Sequence, residues 1–296
     1  IAVTGATGYV GHFIAGELLR AGHRVTALGR RPSRHAGARH APFDLDFPPP
    51  DLSATDALVH AALAHVPGRY RGGEGEDPAR FVRRNRDGTR RLFEAARAAG
   101  VGRLLFLSSR AVYGAYPPGT ALHEGLVPRP DTLYGKVKLA GEQALAGLAG
   151  PGCAVAVIRA TGVYGPPVPG LPHKWDALFA AFVQGERLPP RAGTEVHADD
   201  LARAVRLLAE ADADVDILAP RLFNVSDFAL DRRALLAAFA RCTGLSGPLP
   251  EAADTAGLRA MTTDRMRALG WRPRGPGALA EAVRAVAARH PGPAGA

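Results

Sequence analysis

The chain has 296 residues, of which 47% are hydrophobic, and a formal net charge of +9. No stretch approaches the roughly 18 uninterrupted apolar residues that a membrane span needs. Apart from two arginine clusters, within 30–39 and 83–91, the basic residues are dispersed, which argues against a nucleic-acid-binding protein. The two cysteines, Cys153 and Cys242, show no metal-ligand spacing and make no disulfide framework. We therefore expect a cytoplasmic protein without a metal site, whose partner is a small molecule.

Strand-like and helical patterns alternate through the first two-thirds of the chain. The predicted elements are strand 1–4, helix 9–21, strand 24–28, strand 57–62, helix 79–99, strand 103–108, helix 133–148 and strand 154–159, followed by helix 199–209 and strand 221–225. This alternation predicts a parallel sheet covered by helices on both faces, because parallel strands need crossover connections. After Gly165, prolines interrupt regular structure, and we expect loops and helices over one end of the sheet.

A glycine-rich loop joins the first predicted strand to the first helix. Such glycines permit a sharp turn, a close approach of the backbone to a pyrophosphate and tight helix packing, while the helix N-terminus faces the negative charge. A glycine-rich turn without a ligand is the alternative, but the loop stands between a strand and a helix, as dinucleotide binding requires. The loop predicts a Rossmann cofactor site whose contacts are Gly5, Thr7, Gly8, Tyr9, Val10 and Gly11.

The end of the second predicted strand bears on the choice of cofactor. NAD-specific folds place an acidic residue there to accept the ribose hydroxyls, whereas this chain has Arg30 and Arg31. An arginine can pair with a 2′-phosphate through its fork of donors. An exposed pair in an arginine-rich chain is the alternative interpretation. The sequence favours NADP over NAD.

Tyr134 and Lys138 lie four residues apart on a predicted helix, so their side chains share one face. A phenol has a pKa of about 10, and a neighbouring ammonium favours the phenolate, which suits Tyr134 to general acid–base chemistry. Ser109 follows a predicted parallel strand, at the edge of the sheet where α/β proteins bind ligands. We therefore predict a catalytic centre of Ser109, Tyr134 and Lys138.

These features occur together with further motifs along the chain, from Ile1 to about Trp271. They include Asp44-Leu45 between the predicted strands 24–28 and 57–62, Val59-His60-Ala61-Ala62, Asn85-x-x-Gly88-Thr89, Leu107-Ser108-Ser109, Arg159-Ala160-Thr161-Gly162-Val163-Tyr164-Gly165-Pro166 and Val196-His197-Ala198-Asp199-Asp200. With them the chain resembles the extended branch of the short-chain dehydrogenase/reductase superfamily, the NAD(P)-dependent nucleotide-sugar epimerase/dehydratase group.

The resemblance implies a doubly wound parallel Rossmann sheet with a smaller, largely C-terminal substrate-binding lobe. The expected division assigns 1–165 and 195–226 to the NAD(P)-binding domain, and 166–194 and 227–296 to the lobe. It also implies a homodimer formed through a helix pair. The further cofactor contacts that it implies are Asp44, Leu45, Ala61, Ala62, Asn85, Ser108, Tyr134 and Lys138, and the substrate contacts are Ser109, Arg110, Tyr134 and Gly162.

Two departures from the family pattern limit the reaction. Family dehydratases carry an Asp-Glu pair where this chain has Arg110-Ala111, so a 4,6-dehydratase is disfavoured. Many sugar-nucleotide enzymes have Asn at the position of Gly162. We expect an NAD(P)-dependent epimerase or reductase, two reactions that both fit these residues, which transfers a hydride at a secondary alcohol or ketone of a nucleotide sugar. The alternatives are an NADP-dependent reductase of a non-nucleotide carbonyl compound, and a non-catalytic NAD(P)-binding sensor or structural subunit.

Three other polar residues attract attention. His60 and His197 are interpreted as packing or hydrogen-bonding locally, because a histidine needs placed partners to act as an acid or base. For Glu124, which lies in a loop over the expected site, substrate contact and anchoring of the loop remain equal alternatives.

Overall fold

The computed structural model describes residues 1–66, 72–211 and 221–290. Its strands are β1 (Ala2–Thr4), β2 (Thr26–Gly29), β3 (Arg39–Pro42), β4 (Ala57–His60), β5 (Arg103–Ser109), β6 (Ala154–Ala160), β7 (Gly162–Tyr164), β8 (Ala192–His197), β9 (Arg221–Val225) and β10 (Phe228–Asp231). Its helices are α1 (Tyr9–Arg20), α2 (Pro78–Ala98), α3 (Leu133–Ala146), α4 (Asp176–Val183), α5 (Ala198–Glu210), α6 (Arg232–Thr243), α7 (Asp264–Ala268) and α8 (Gly277–Ala287). None of these helices is both long and apolar enough to cross a membrane.

Seven strands form one parallel sheet in the order β3-β2-β1-β4-β5-β6-β9. The direction of winding reverses between β1 and β4, and a reversal of this kind opens a crevice at the carboxyl ends of the two strands. The doubly wound Rossmann prediction is confirmed. Each predicted strand and helix also occurs, with ends that differ by a few residues.

Four strands lie outside the predicted set. The residues of β3 are mostly exposed, because it is an edge strand, so it lacks the apolar run that marks the inner strands. The strands β7, β8 and β10 form a second sheet in the order β10-β8-β7. They are three to six residues long and pair across long stretches of chain, which local sequence patterns do not reveal.

Separate apolar clusters cover the two faces of the main sheet. Ile14 and Leu18 of α1 pack with Val205 of α5 on one face, while Leu92 of α2 and Leu145 of α3 lie on the other. A third cluster joins α4, α6 and α8 to the second sheet. The main sheet is therefore covered on both faces and presents its carboxyl edge to the second sheet and its helices.

Candidate active site

The glycine loop after β1 approaches other backbone so closely that side chains would not fit. Gly5 has a φ of +73°, and a Cβ atom there would lie 2.8 Å from the Ala62 nitrogen. A Cβ at Gly11 would lie 2.1 Å from the carbonyl oxygen of Gly5. Helix α1 begins beyond Gly8, with no side chain capping its N-terminus. This bare N-terminus and backbone cradle fit a pyrophosphate, and Thr7, Tyr9 and Val10 complete the loop.

The segment after β4 forms the opposite wall of the crevice. Thr4 Oγ1 accepts hydrogen bonds from the nitrogens of Ala61 and Ala62, both at 3.1 Å, and lies 2.7 Å from His60 Nδ1. The other ring nitrogen of His60 lies 2.9 Å from Thr89 Oγ1. Burial lowers the pKa of His60 to about 3, so its ring is neutral. His60 thus has the local hydrogen-bonding role interpreted from the sequence.

Asn85 lies on α2 behind the same segment and is buried. Its side-chain oxygen accepts from the Ala64 nitrogen at 2.8 Å, and its amide nitrogen donates to the carbonyls of Ala64 at 2.8 Å and Phe81 at 2.9 Å. The structure therefore uses the amide of Asn85 to hold the chain beyond Ala62.

Charged groups surround the position expected for the adenosine of a cofactor. Asp44 accepts a hydrogen bond from Arg84 at 2.5 Å, and Arg30 approaches its other oxygen at 3.6 Å. Burial opposes ionisation of Asp44, but the hydrogen bond from Arg84 and the positive charges of both arginines lower its pKa. The Arg30 side chain is 74% exposed, Arg31 is also exposed, and Leu45 is buried. The Asp44 carboxylate is thus already ion-paired with Arg84 and Arg30.

The predicted catalytic residues converge where β5 meets α3. Ser109 ends β5, and its hydroxyl accepts a hydrogen bond from the Ala111 nitrogen at 3.1 Å. Thr132 caps α3 through the Gly135 nitrogen at 3.0 Å, which places Tyr134 in the first turn. A Cβ at Gly135 would lie 2.6 Å from the Ala111 carbonyl oxygen. This glycine lets the helix bring Tyr134 close to the turn that follows Ser109.

Lys138 lies one turn after Tyr134 and is buried. Its ammonium donates to the Leu107 carbonyl at 2.7 Å and lies 6.0 Å from the centre of the Tyr134 ring. Burial lowers the pKa of Lys138 to about 8, while the nearby Glu142 carboxylate opposes the shift. The arrangement supplies a positive charge beside the phenol.

Behind Lys138, one turn further along α3, Glu142 is held in a buried ionic network. Arg159 of β6 donates to its two carboxylate oxygens at 3.0 and 2.6 Å, and both side chains are at most 5% exposed. The Ser108 hydroxyl also donates to Glu142. The structure therefore turns Ser108, predicted to contact the cofactor, toward this network.

Arg110 and Glu124 both anchor loops near the site. The guanidinium of Arg110 donates to the Arg259 carbonyl at 3.0 and 3.2 Å. Glu124 is buried and accepts a hydrogen bond from the Asn224 nitrogen at 2.9 Å. For Glu124, these contacts favour loop anchoring over substrate contact.

The carboxylate of Glu195 occupies the space beside Gly162 where a side chain would lie. A Cβ at Gly162 would lie 2.7 Å from both carboxylate oxygens of Glu195, which is its neighbour across the β7–β8 pairing. Lys174 donates to Glu195 at 2.5 Å. Neither Glu195 nor Lys174 was among the predicted site residues. The glycine in place of the family's asparagine was the one available signal.

Two further contacts, also missed, join the glycine loop to the segment after β7. Arg34 donates to the carbonyls of Thr7 at 2.7 Å and Pro169 at 3.0 Å. The Tyr9 hydroxyl donates to the Pro166 carbonyl at 3.0 Å. Across the described ranges, no three His, Cys, Asp or Glu side chains are grouped to hold a metal ion.

Comparison with known proteins identifies the family of the chain. Residues 1–226 match the model of the NAD dependent epimerase/dehydratase family. A dTDP-6-deoxy-L-talose 4-dehydrogenase (NAD(P)(+)) of Kitasatospora kifunensis is 31% identical, over 96% of this chain and 93% of its own. A 3-diazoavenalumate denitrifying reductase of a Streptomyces species is 30% identical, over 93% and 96%. The structure of MoeE5 with UDP-glucose and NAD is 26% identical with a TM-score of 0.78, and that with UDP-glucuronic acid and NAD is 25% identical with a TM-score of 0.77; each covers 98% of both chains.

Proposed function

The chain belongs to the NAD dependent epimerase/dehydratase family of NAD(P)-dependent enzymes, and from this premise we propose that it transfers a hydride at a secondary alcohol or ketone of a nucleotide sugar. The substrate binds at the carboxyl edge of the main sheet, between two units of the chain. One unit is the cofactor-binding domain, 1–165 and 195–226, and the other is the lobe formed by 166–194 and 227–296. One observation carries the proposal. The ammonium of Lys138 is held at 2.7 Å by the Leu107 carbonyl, two residues before Ser109 at the end of β5, and lies 6.0 Å from the centre of the Tyr134 ring.

The protein's own residues account for the proton transfers. When bound, the nicotinamide supplies or accepts the hydride, and the glycine loop with Ala61 and Ala62 would hold the cofactor. Tyr134 gives a proton to the substrate oxygen in reduction and removes it in oxidation. Lys138 stabilises the phenolate and holds the nicotinamide ribose, and Ser109 orients the substrate oxygen through its hydroxyl. Dehydration is not proposed, because Arg110 and Ala111 supply no carboxylate after Ser109.

The experiment is Tyr134→Phe, which removes the proton-transferring hydroxyl and keeps the ring. We expect kcat to fall about 10²–10⁴-fold on a substrate that the unaltered protein converts, with unchanged cofactor affinity. Tyr116→Phe is the control, because the Tyr116 hydroxyl donates instead to the Val127 carbonyl. Undiminished turnover by Tyr134→Phe would contradict the mechanism.

For the cofactor, we propose a preference for NADP. Arg30 is largely exposed beside an Asp44 that Arg84 already neutralises, which leaves positive charge available for a 2′-phosphate. Arg30→Ala should lower the preference for NADPH over NADH about tenfold. Arg90→Ala on the exposed face of α2 should leave the preference unchanged. An unchanged preference in Arg30→Ala would remove this residue from cofactor selection.

The reaction outcome separates two candidates. An epimerase converts its substrate with no net change in cofactor absorbance, whereas a reductase consumes reduced cofactor. As a second candidate we propose an NADP-dependent reductase of a carbonyl compound that carries no nucleotide; the similarity to a 3-diazoavenalumate denitrifying reductase supports only the part of this candidate that concerns reduction of a compound without a nucleotide. Incubation with nucleotide sugars and with simple ketones, followed at the NADPH absorbance and by product analysis, tests both.

We further propose a homodimer, built across the outer faces of α2 and α3. A groove there is lined by Arg86, Asp87, Arg90, Ala140, Gln143 and Ala144. Ala140→Arg should therefore convert a dimer to a monomer in light scattering, and a monomeric unaltered protein would end this idea.

A cytoplasmic location also remains our proposal, supported by the two free thiols of Cys153 and Cys242.

A further inference from the structure

The pair formed by Glu195 and Lys174 lies at the same end of the main sheet as Ser109. Ala160 is the register partner of Ser109 in the β5–β6 pairing, and Gly162 follows it by two residues. Two residues of chain span at most about 7 Å. Neighbouring strands lie about 4.8 Å apart, and Glu195 fills the side-chain position of Gly162. Its carboxylate therefore lies within about 15 Å of Ser109 at the same edge of the sheet, a span that a sugar nucleotide can bridge.

The position of this carboxylate is fixed by the small sheet. Gly162 pairs with Glu195 across β7 and β8, and the Thr161 hydroxyl donates to the Thr194 carbonyl at 2.6 Å, directly before that pair. The Lys174 ammonium, from the segment before α4, holds one Glu195 oxygen at 2.5 Å. The carboxylate therefore has a defined orientation.

Both side chains remain accessible. The side chain of Glu195 is 15% exposed and that of Lys174 is 33% exposed, unlike the Glu142–Arg159 pair, which is at most 5% exposed. Because residue 162 has no side chain, the Glu195 carboxylate reaches the space that such a side chain would occupy. A ligand at the carboxyl edge of the sheet could therefore reach it.

We propose that Glu195 and Lys174 form a specificity-determining subsite for the sugar part of the substrate, one that accepts a neutral, hydroxyl-bearing ring and disfavours an anionic one. The inference rests on the proposed function, because it assumes a sugar beside Ser109. Glu195 accepts a hydrogen bond from a substrate hydroxyl. A carboxylate on the sugar meets the negative charge of Glu195, which Lys174 offsets only in part.

The test compares UDP-glucose with UDP-glucuronic acid as ligands of the cofactor-loaded protein by calorimetry. Both contain the same uridine diphosphate, so the ratio of their dissociation constants reports on the sugar alone. We expect the unaltered protein to bind UDP-glucose about tenfold more tightly. Glu195→Gln should bring the ratio close to one, mainly by tightening the binding of UDP-glucuronic acid.

Lys174→Met supplies a result of opposite sign. Loss of the ammonium leaves the Glu195 charge unscreened, so the ratio should widen beyond that of the unaltered protein. Simple damage to the fold would not move the two variants in opposite directions. Glu17→Gln is the matched control, because Glu17 is 13% exposed and ion-paired with Arg20 and Arg206 on α1 and α5, away from the carboxyl edge; it should leave the ratio unchanged.

Other results would overturn the subsite. Equal ratios in all variants, or shifts of the same sign in Glu195→Gln and Lys174→Met, would exclude charge selection by this pair. If neither sugar nucleotide binds to the loaded protein, both the subsite and the nucleotide-sugar substrate fail, while Tyr134→Phe on simple ketones still tests hydride transfer. Binding with the expected ratios but without turnover would uphold the subsite and contradict the proposed function.

Discussion

Two regions near the carboxyl edge of the main sheet are built in opposite ways: the glycine loop after β1 lies too close to other backbone for added side chains, whereas behind Lys138 a buried pair of opposite charges joins α3 to β6. The loop at Gly5 and Gly11 leaves no room for a methyl group. Two strands away, Glu142 and Arg159 bind each other in the interior behind Lys138. The first region has no room for an added atom, and the second has a guanidinium that needs its buried counter-charge. Opposite kinds of substitution should therefore damage the two regions.

Glu142→Gln should have the largest effect, since it leaves the buried Arg159 guanidinium without its counter-charge. We expect the free energy of unfolding to fall by about 3–5 kcal/mol, measured by urea denaturation. Glu94→Gln, in an exposed pair with Arg90, should change it by at most about 0.5 kcal/mol. A small decrease in the free energy of unfolding of Glu142→Gln would mean that the buried pair of Glu142 and Arg159 does not depend on its charges.

Gly11→Ala tests the glycine region. The added methyl would lie 2.1 Å from the Gly5 carbonyl oxygen, so the loop must move, at a cost of about 1–3 kcal/mol in unfolding free energy. Cofactor affinity should fall with it, as measured by fluorescence titration with NADPH. Gly277→Ala, at the exposed start of α8 with no atom within 4 Å of the new methyl, should be neutral or slightly stabilising. Unchanged cofactor affinity in Gly11→Ala would refute the cradle.

The pH dependence of turnover connects the two regions through Lys138. Because burial lowers the Lys138 pKa to about 8, the ammonium loses its proton as pH rises through 8, and kcat should fall there. Glu142 opposes the lowering, so Glu142→Gln should move this alkaline fall to lower pH. The pKa of Lys138 is lower in the folded protein than in the unfolded chain. The protonated lysine therefore lowers the free energy of unfolding below about pH 8, and this loss is relieved as the pH rises further. An alkaline limb that stays in place in Glu142→Gln would contradict the coupling.

Thr194→Val should have the smallest effect. It removes the hydroxyl that lies 2.5 Å from Thr161 Oγ1, while the Thr194 carbonyl keeps its own bond from Thr161. We expect the free energy of unfolding, measured by thermal denaturation, to fall by about 0.5–1 kcal/mol, with no effect on cofactor affinity. A measurable loss of cofactor affinity would show that the small sheet and the glycine region are not independent.

The sequence predicted the glycine region better than the ionic region. Gly5, Gly8 and Gly11 act through their own backbone within one short segment, so their spacing carries the information. The pairings of Glu142 with Arg159 and of Glu195 with Lys174 join residues 17 and 21 positions apart, and no local pattern announces them. The strands of the small sheet escaped prediction for the same reason.

Gly135 has a practical meaning for anyone who would redesign this protein. Its missing side chain sets how near α3 lies to the Ala111 carbonyl, and therefore where Tyr134 is presented. Libraries that aim at a new substrate can vary residues 162, 174 and 195 together, because a side chain at residue 162 needs the space that Glu195 now occupies. Position 135 should be left out of such libraries, since every replacement there would reduce the number of active clones before selection begins.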